Sequence, residues 1–270
     1  MEQINGIEKL MIKNRVLWGL AVLLFALVST CLAQSTQPPA AAPETAEKYF
    51  TDGLAALEAG NGAQAATQFT QALELDPDWV EAYVNRGQAY VLQGQLDKSL
   101  TDFSKALELD PDSFEALYNR GRVYTKLDKP EKAVADYTEA LKLKKDDWQV
   151  YYNRGNAYLD KEKYKEALQD YNQAQKLNPK SAEVVNNRGL AQLGLGQSDL
   201  ALKDFDQALT IDPKFTRALY NRGRALEKLG RLAEARGAYR TFLQEANPTT
   251  DKPLLERALE RLKEIKEKEG

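Results

Sequence analysis

Asn85, Asn119, Asn153, Asn187 and Asn221 are each followed by Arg-Gly, and each stands 34 residues after the one before. A carboxamide carries an acceptor oxygen and two donor hydrogens. That set matches the C=O and N–H of an extended peptide without reading its side chains, so the chemistry on offer is recognition rather than bond making. Tyr118, Tyr152 and Tyr220 stand one residue before an asparagine of the series, and Arg122, Asn156 and Arg224 stand three residues after one. Aromatic and arginine side chains are frequent binding anchors. A bland alternative stays open for each group: the amides bond a neighbouring helix and hold a stack together, and the tyrosines pack against the next unit.

Bond-making chemistry has little to work with. Histidine is absent from the 270 residues, which removes the commonest general base and metal ligand. Cys31 is the only cysteine, so neither an intrachain disulfide nor a thiolate metal site is available. Carboxylates are plentiful, but they recur with the 34-residue period, as a stabilising pattern would. The reading is a non-enzymatic chain with no cofactor and no metal. Thirty-seven basic residues against 40 acidic ones give a net charge of −3, which argues against a nucleic-acid partner.

The amides need elements to carry them, and the period identifies those elements. Six units of 34 residues run 46–79, 80–113, 114–147, 148–181, 182–215 and 216–249. Position 8 is glycine in every unit (Gly53, Gly87, Gly121, Gly155, Gly189, Gly223). Position 20 is small (Ala65, Ser99, Ala133, Ala167, Ala201, Ala235), and position 24 is aromatic (Phe69, Phe103, Tyr137, Tyr171, Phe205, Tyr239). Position 27 is alanine except for Phe242, and Pro77, Pro111, Pro179 and Pro213 mark the loops between units. Each unit reads as two amphipathic helices, A and B. Gly60, Gly94, Gly196 and Gly230 suit a left-handed C-cap between them.

This pattern resembles the tetratricopeptide repeat, in a form typical of exported bacterial proteins, over about three quarters of the chain. The resemblance implies an all-α fold: a right-handed α-solenoid of six helix-turn-helix repeats. A single helix pair cannot bury its apolar face alone, so neighbours must stack. Asp251-Lys252-Pro253 is a helix-start signal, and Leu255, Ala258, Leu259 and Leu262 form one stripe after it. The segment 250–270 is therefore expected to be a C-terminal capping helix over 252–268, with a frayed Lys/Glu end at 263–269.

At about 100° per residue, positions 2, 5, 6, 9, 12 and 13 of helix A share one arc. In the repeat family this arc lines the concave surface. The asparagines hold position 6, the tyrosines position 5, and Arg122, Asn156 and Arg224 position 9. With helices about 8–10 Å apart and an extended ligand advancing about 3.3 Å per residue, each asparagine would meet every third ligand residue. The family's clamp for acidic chaperone tails uses lysine at position 5, which is absent here, so that specificity is not implied. At position 7, Arg86, Arg120, Arg154 and Arg188 are each matched by Asp102, Asp136, Asp170 and Asp204 at position 23 of the same unit, an expected ion pair. Units one and six break that match, with Asp52 facing Gln68 and Arg222 facing Ala238.

Residues 16–33 are uncharged and apolar behind Lys9, Lys13 and Arg15, which is the pattern of an export signal. Three outcomes follow from it: cleavage after Ala33, lipid attachment to Cys31 in the lipobox-like run 28–31, or retention as a membrane anchor. Residues 34–45 form a Pro/Ala-rich linker. The expected function is a protein-interaction scaffold of the cell envelope. Its partner is a protein or an extended peptide held in the concave groove by the asparagine ladder, and the membrane is touched only through the N-terminus. The alternative is a pilotin-like envelope-assembly lipoprotein.

Overall fold

A computed structural model describes residues 45–269, so the run 16–33 expected to be an export signal, Cys31 and all but the last residue of the expected Pro/Ala linker lie outside the described residues. Helices run in pairs. They are α1 (Ala46–Glu58) with α2 (Gly62–Leu75), α3 (Val80–Leu92) with α4 (Leu96–Leu109), and α5 (Phe114–Lys126) with α6 (Pro130–Leu143). Then come α7 (Trp148–Asp160) with α8 (Tyr164–Leu177), α9 (Ala182–Gly194) with α10 (Ser198–Ile211), and α11 (Thr216–Lys228) with α12 (Leu232–Glu245). The last helix is α13 (Lys252–Glu269). Each odd helix up to α11 is a helix A and begins at the first residue of a 34-residue unit. Each packs on its own helix B, and each helix B packs on the helix A that follows. No strand occurs among the described residues.

The sequence sets these boundaries locally. Ser113, Asp147 and Ser181 precede helices A and accept backbone N–H bonds from Ala116, Val150 and Val184, which satisfies donors the first turn leaves open. Each helix B of the first five units ends on a non-helical residue, extended at Asp76, Asp110, Lys144 and Asp212, and in four of the five proline follows, which disfavours a helical conformation at the residue before it. Between A and B the chain takes a left-handed residue. Glycine fills that place at Gly60, Gly94, Gly196 and Gly230, but Asp128 (φ 53°) and Glu162 (φ 56°) fill it in units three and four.

Packing inside a unit follows from size. The position-24 rings and the small residues at position 20 are at most 1% exposed. The ring lies flat against the helix A glycine: a Cβ on Gly121 would sit 2.7 Å from Cε1 of Tyr137, and the approach is as close in the other units. No side chain fits there without moving the ring.

The last unit closes the stack. Phe242 replaces the usual alanine and is fully buried with Ala258 and Ile265 of α13. Two expectations for α13 are corrected. Leu259 is 51% exposed, while Ile265 is wholly buried. The stripe advances through Leu255, Ala258, Leu262 and Ile265, and Leu259 falls to one side of it. The helix also continues to Glu269, because Ile265 anchors the Lys/Glu-rich stretch that looked frayed.

Candidate binding groove along the inner helices

Successive helices A also pack on one another, α1 on α3 through to α9 on α11, while the helices B make no comparable contact. Elements that crowd lie on the shorter side of a curved stack, so the A helices form the inner face. Positions 2 and 13 of helix A are exposed along its length (Glu81, Glu115 and Glu183 among them), and position 6 is half-buried in units two to five.

The five position-6 amides divide into two sets. Asn85 donates from Nδ2 to Glu81 O at 2.7 Å, and Asn119 to Glu115 O at 2.8 Å, both one turn back in their own helix. Apart from a long bond from Arg122 Nη1 to Asn119 Oδ1 (3.4 Å), these two have no further side-chain partner. The other three reach the preceding unit. Asn153 donates to Tyr118 Oη at 3.1 Å, and Asn187 to Tyr152 Oη at 3.2 Å and Asn156 Oδ1 at 2.9 Å. Asn221 donates to Asn186 Oδ1 at 2.9 Å and is itself buried. Tyr171 Oη and Asn186 Nδ2 extend this network through Asn156 and Asn187.

The residue 35 places earlier decides the division. Asn153, Asn187 and Asn221 look back on Tyr118, Tyr152 and Asn186, which carry a hydrogen-bonding group. Asn85 and Asn119 look back on Phe50 and Val84, which carry none. Burial pushes the hydroxyls of Tyr118 and Tyr152 above the usual tyrosine range, so they stay protonated and accept from the amides. Tyr118 also lies under the Arg122 guanidinium at 5.6 Å. Tyr220 is only 7% exposed, with its ring 5.6 Å from both Tyr239 and Phe242, so it serves the core as well as the groove wall. Arg122 and Arg224 are exposed, and Arg224 Nη1 donates to Asn221 Oδ1 at 3.3 Å.

The position-7 arginines have another task. Arg86, Arg120 and Arg154 each grip the aspartate of their own helix B through two bonds of 2.8–2.9 Å. Each also donates to Thr70, Ser104 or Thr138 on the preceding helix B. Arg188 repeats this with Asp204, Asn172 and Gln175. The aspartate side chains are 5–8% exposed, so these are buried bidentate pairs whose breakage costs more than an exposed pair would. In unit six, Arg222 turns to Asp206 of unit five instead.

Hollows open on the inner face, among them one upstream and one downstream. The upstream one, about 230 Å³, lies among α1, α3 and α5 and is lined by Leu57, Val91, Leu92 and Val123 together with Gln88, Asn119, Arg122 and Lys126. The downstream one, about 730 Å³, lies between α9, α11 and α13. Among the described residues, no group of three or more His, Cys, Asp or Glu side chains could hold a metal ion, and no helix is long and apolar enough to cross a membrane.

Family models described as TPR repeat match residues 53–94 and 87–128, and models described as tetratricopeptide repeat match 114–147, 148–181 and 186–249. The chain belongs to the tetratricopeptide repeat family. Among solved structures, a tetratricopeptide repeat protein from Parabacteroides merdae aligns at a TM-score of 0.66 and 22% identity, over 82% of this chain and 92% of that one. YrrB, described as a TPR protein with an unusual peptide-binding site, aligns at 0.59 and 24% identity, over 65% and 90%. MamA aligns at 0.57 and 25% identity, over 59% and 93%. No curated protein sequence matches this chain. The tetratricopeptide repeat family is one of protein-interaction scaffolds, generally non-enzymatic.

Residue-by-residue reading left bonds from the amides to a neighbouring helix open as an alternative without saying which amides make them, because the Tyr–Asn ties cross unit boundaries, and it did not anticipate one other part of the groove. The downstream hollow takes Arg257 and Arg261 from α13. Their i, i+4 spacing was visible, but nothing in the repeat pattern placed that helix beside the groove.

Proposed function

We propose that this tetratricopeptide repeat protein is a non-catalytic scaffold of the cell envelope that holds an extended polypeptide segment along helices A. The observation that carries the reading is the state of Asn85 and Asn119. Both point their carboxamides at the inner face, tied only to their own helix backbone and, for Asn119, loosely to Arg122. Asn119 lines the hollow with Leu57, Val91, Leu92 and Val123, and Asn85 lines a neighbouring one of about 290 Å³ in which Val80, Val84 and Phe114 stand beside Glu81, Asp110, Asp112 and Glu115, so a ligand side chain finds cover while its backbone meets an amide. YrrB, which shares the fold, is described as binding peptide. The envelope assignment rests on the apolar run 16–33 behind basic residues, and the acidic balance of the chain argues against nucleic acid.

The ladder in this reading is shorter than the sequence series. Asn85 and Asn119 form its working part, and Asn153, Asn187 and Asn221 stiffen the downstream end. Selection of random peptides on the full chain, followed by calorimetric titration, tests it. Each amide pair contributes about 0.5–1.5 kcal/mol, so Asn85→Ala with Asn119→Ala weakens the selected peptides about tenfold or more at unchanged helix content. Unchanged affinity in that double variant removes the reading. The rival role, a lipoprotein of envelope assembly attached through Cys31, rests on the run 28–31. The mass of the processed N-terminus separates the two.

A further inference from the structure

We infer that the segment held in the groove presents a leucine-sized apolar side chain and, about three residues from it, a lysine or arginine, seated in two adjoining hollows at the upstream end. The inference deepens the groove reading above and rests on it.

Leu92 marks the apolar seat. Position 13 of helix A carries Glu58, Lys126, Asp160, Gly194 and Lys228 in the other units, so the stack does not need an apolar residue there. Leu92 is nevertheless 58% exposed, and it lines the hollow of about 230 Å³ with Leu57, Val91 and Val123. A large aliphatic group left open in a concave place, beside other apolar groups, marks a surface that a partner covers.

The cationic seat is the neighbouring hollow of about 290 Å³, between α3 and the start of α5. Val80, Val84 and Phe114 give it apolar walls, and Glu81, Asp110, Asp112 and Glu115 stand beside them. These four carboxylates make no salt bridge among the described residues, and Glu81, Asp112 and Glu115 are exposed. Lys144 comes within 5.2 Å of the Phe114 ring centre but is itself paired with Asp147. Walls of this kind beside carboxylates suit a long cationic side chain, whose stem packs on apolar surface while its head stays in polar company.

Charge tells the two seats apart. Arg122 and Lys126 line the apolar one, where they repel a ligand cation and leave it the other. The wider field agrees. Residues 46–113 hold twelve Asp and Glu against four Lys and Arg, in a chain whose net charge is only −3, so the upstream stretch draws cations towards it.

The spacing follows from the helices. Gln88 lines both hollows, but the lining centres near position 5 in one and near position 12 in the other. At 1.5 Å per residue that is about 10 Å along the helix axis, which an extended segment covers in about three residues. Asn85 and Asn119, one in each lining, stand ready for its backbone.

The test titrates short synthetic peptides, blocked at both ends, into the full chain. They carry arginine and leucine three residues apart, in either order, on a serine–glycine background. Two control sets replace the arginine with glutamate or the leucine with serine. The better arginine–leucine peptide binds at least about tenfold more tightly than its glutamate counterpart, the value of one charge-assisted bond. Glu81→Gln with Glu115→Gln removes that preference. Leu92→Gln removes the advantage of leucine over serine and keeps the preference for arginine. Four other units carry a charged residue at this position, so the Leu92 variant keeps its helix content, and circular dichroism checks both variants. Equal binding of arginine and glutamate peptides overturns the paired seats and leaves the groove reading standing. So does an arginine preference that survives the double glutamine variant, or a leucine advantage that survives Leu92→Gln. If none of these peptides binds, the inference falls, and the groove reading stands or falls with the random selection described above.

Discussion

The upstream and downstream stretches of the inner face carry the same asparagine at the same position and use it differently. In units two and three the amide turns onto its own helix. In units four to six it bonds the unit before. The backbone repeat is the same throughout, so the difference comes from what the previous unit offers at position 5: a phenylalanine and a valine upstream, two tyrosines and an asparagine downstream. An identical residue in an identical fold can be a binding group or a structural tie according to one side chain in its neighbour.

The largest expected effect checks that the two stretches are otherwise alike. Asp102→Ala and Asp170→Ala each strand a largely buried arginine and should each cost about 3 kcal/mol in urea unfolding. If only one of them is costly, the comparison concerns packing and not amides. The next effect is the comparison itself. Asn187→Ala takes the acceptor from Asn186 Nδ2 and a donor from Tyr152 Oη and should cost about 1–2 kcal/mol, whereas Asn85→Ala should stay within about 0.5 kcal/mol. Equal losses would erase the division. The smallest effect lies at the A–B turn of unit four. Glu162→Gly relieves a left-handed residue at the cost of a more flexible unfolded chain, and the net gain should be about 0.5 kcal/mol. A lower thermal midpoint in that variant would contradict it.

Much of the architecture was legible because the period is strict. Gly121 and Tyr137 announce a contact that only a bare backbone permits, and the Arg–Asp match at positions 7 and 23 points to a pair that forms in all four units where both residues occur. The groove was legible as a face, not as a set of free groups. Asn153 and Asn119 look alike until the residue 35 places upstream is read beside each, and hydrogen bonds across a stack do not follow the unit boundaries that make repeats easy to count. Asp128 and Glu162 were hidden for another reason: tertiary packing holds a left-handed turn without the glycine that local preference asks for. Ile265 was lost in a run of charges, although it lies ten residues beyond Leu255 on the same helical stripe.

In units two to five the arginine clip joins helix A to the aspartate of its own unit and to the hydroxyl or amide of the unit before, both sixteen residues away. A whole module can therefore be excised or copied with its seams intact. The amides do not share that indifference. Removing 114–147 would set Val84 behind Asn153 and release a carboxamide that Tyr118 now holds. The succession of modules, as well as their content, thus sets how many hands this protein has free.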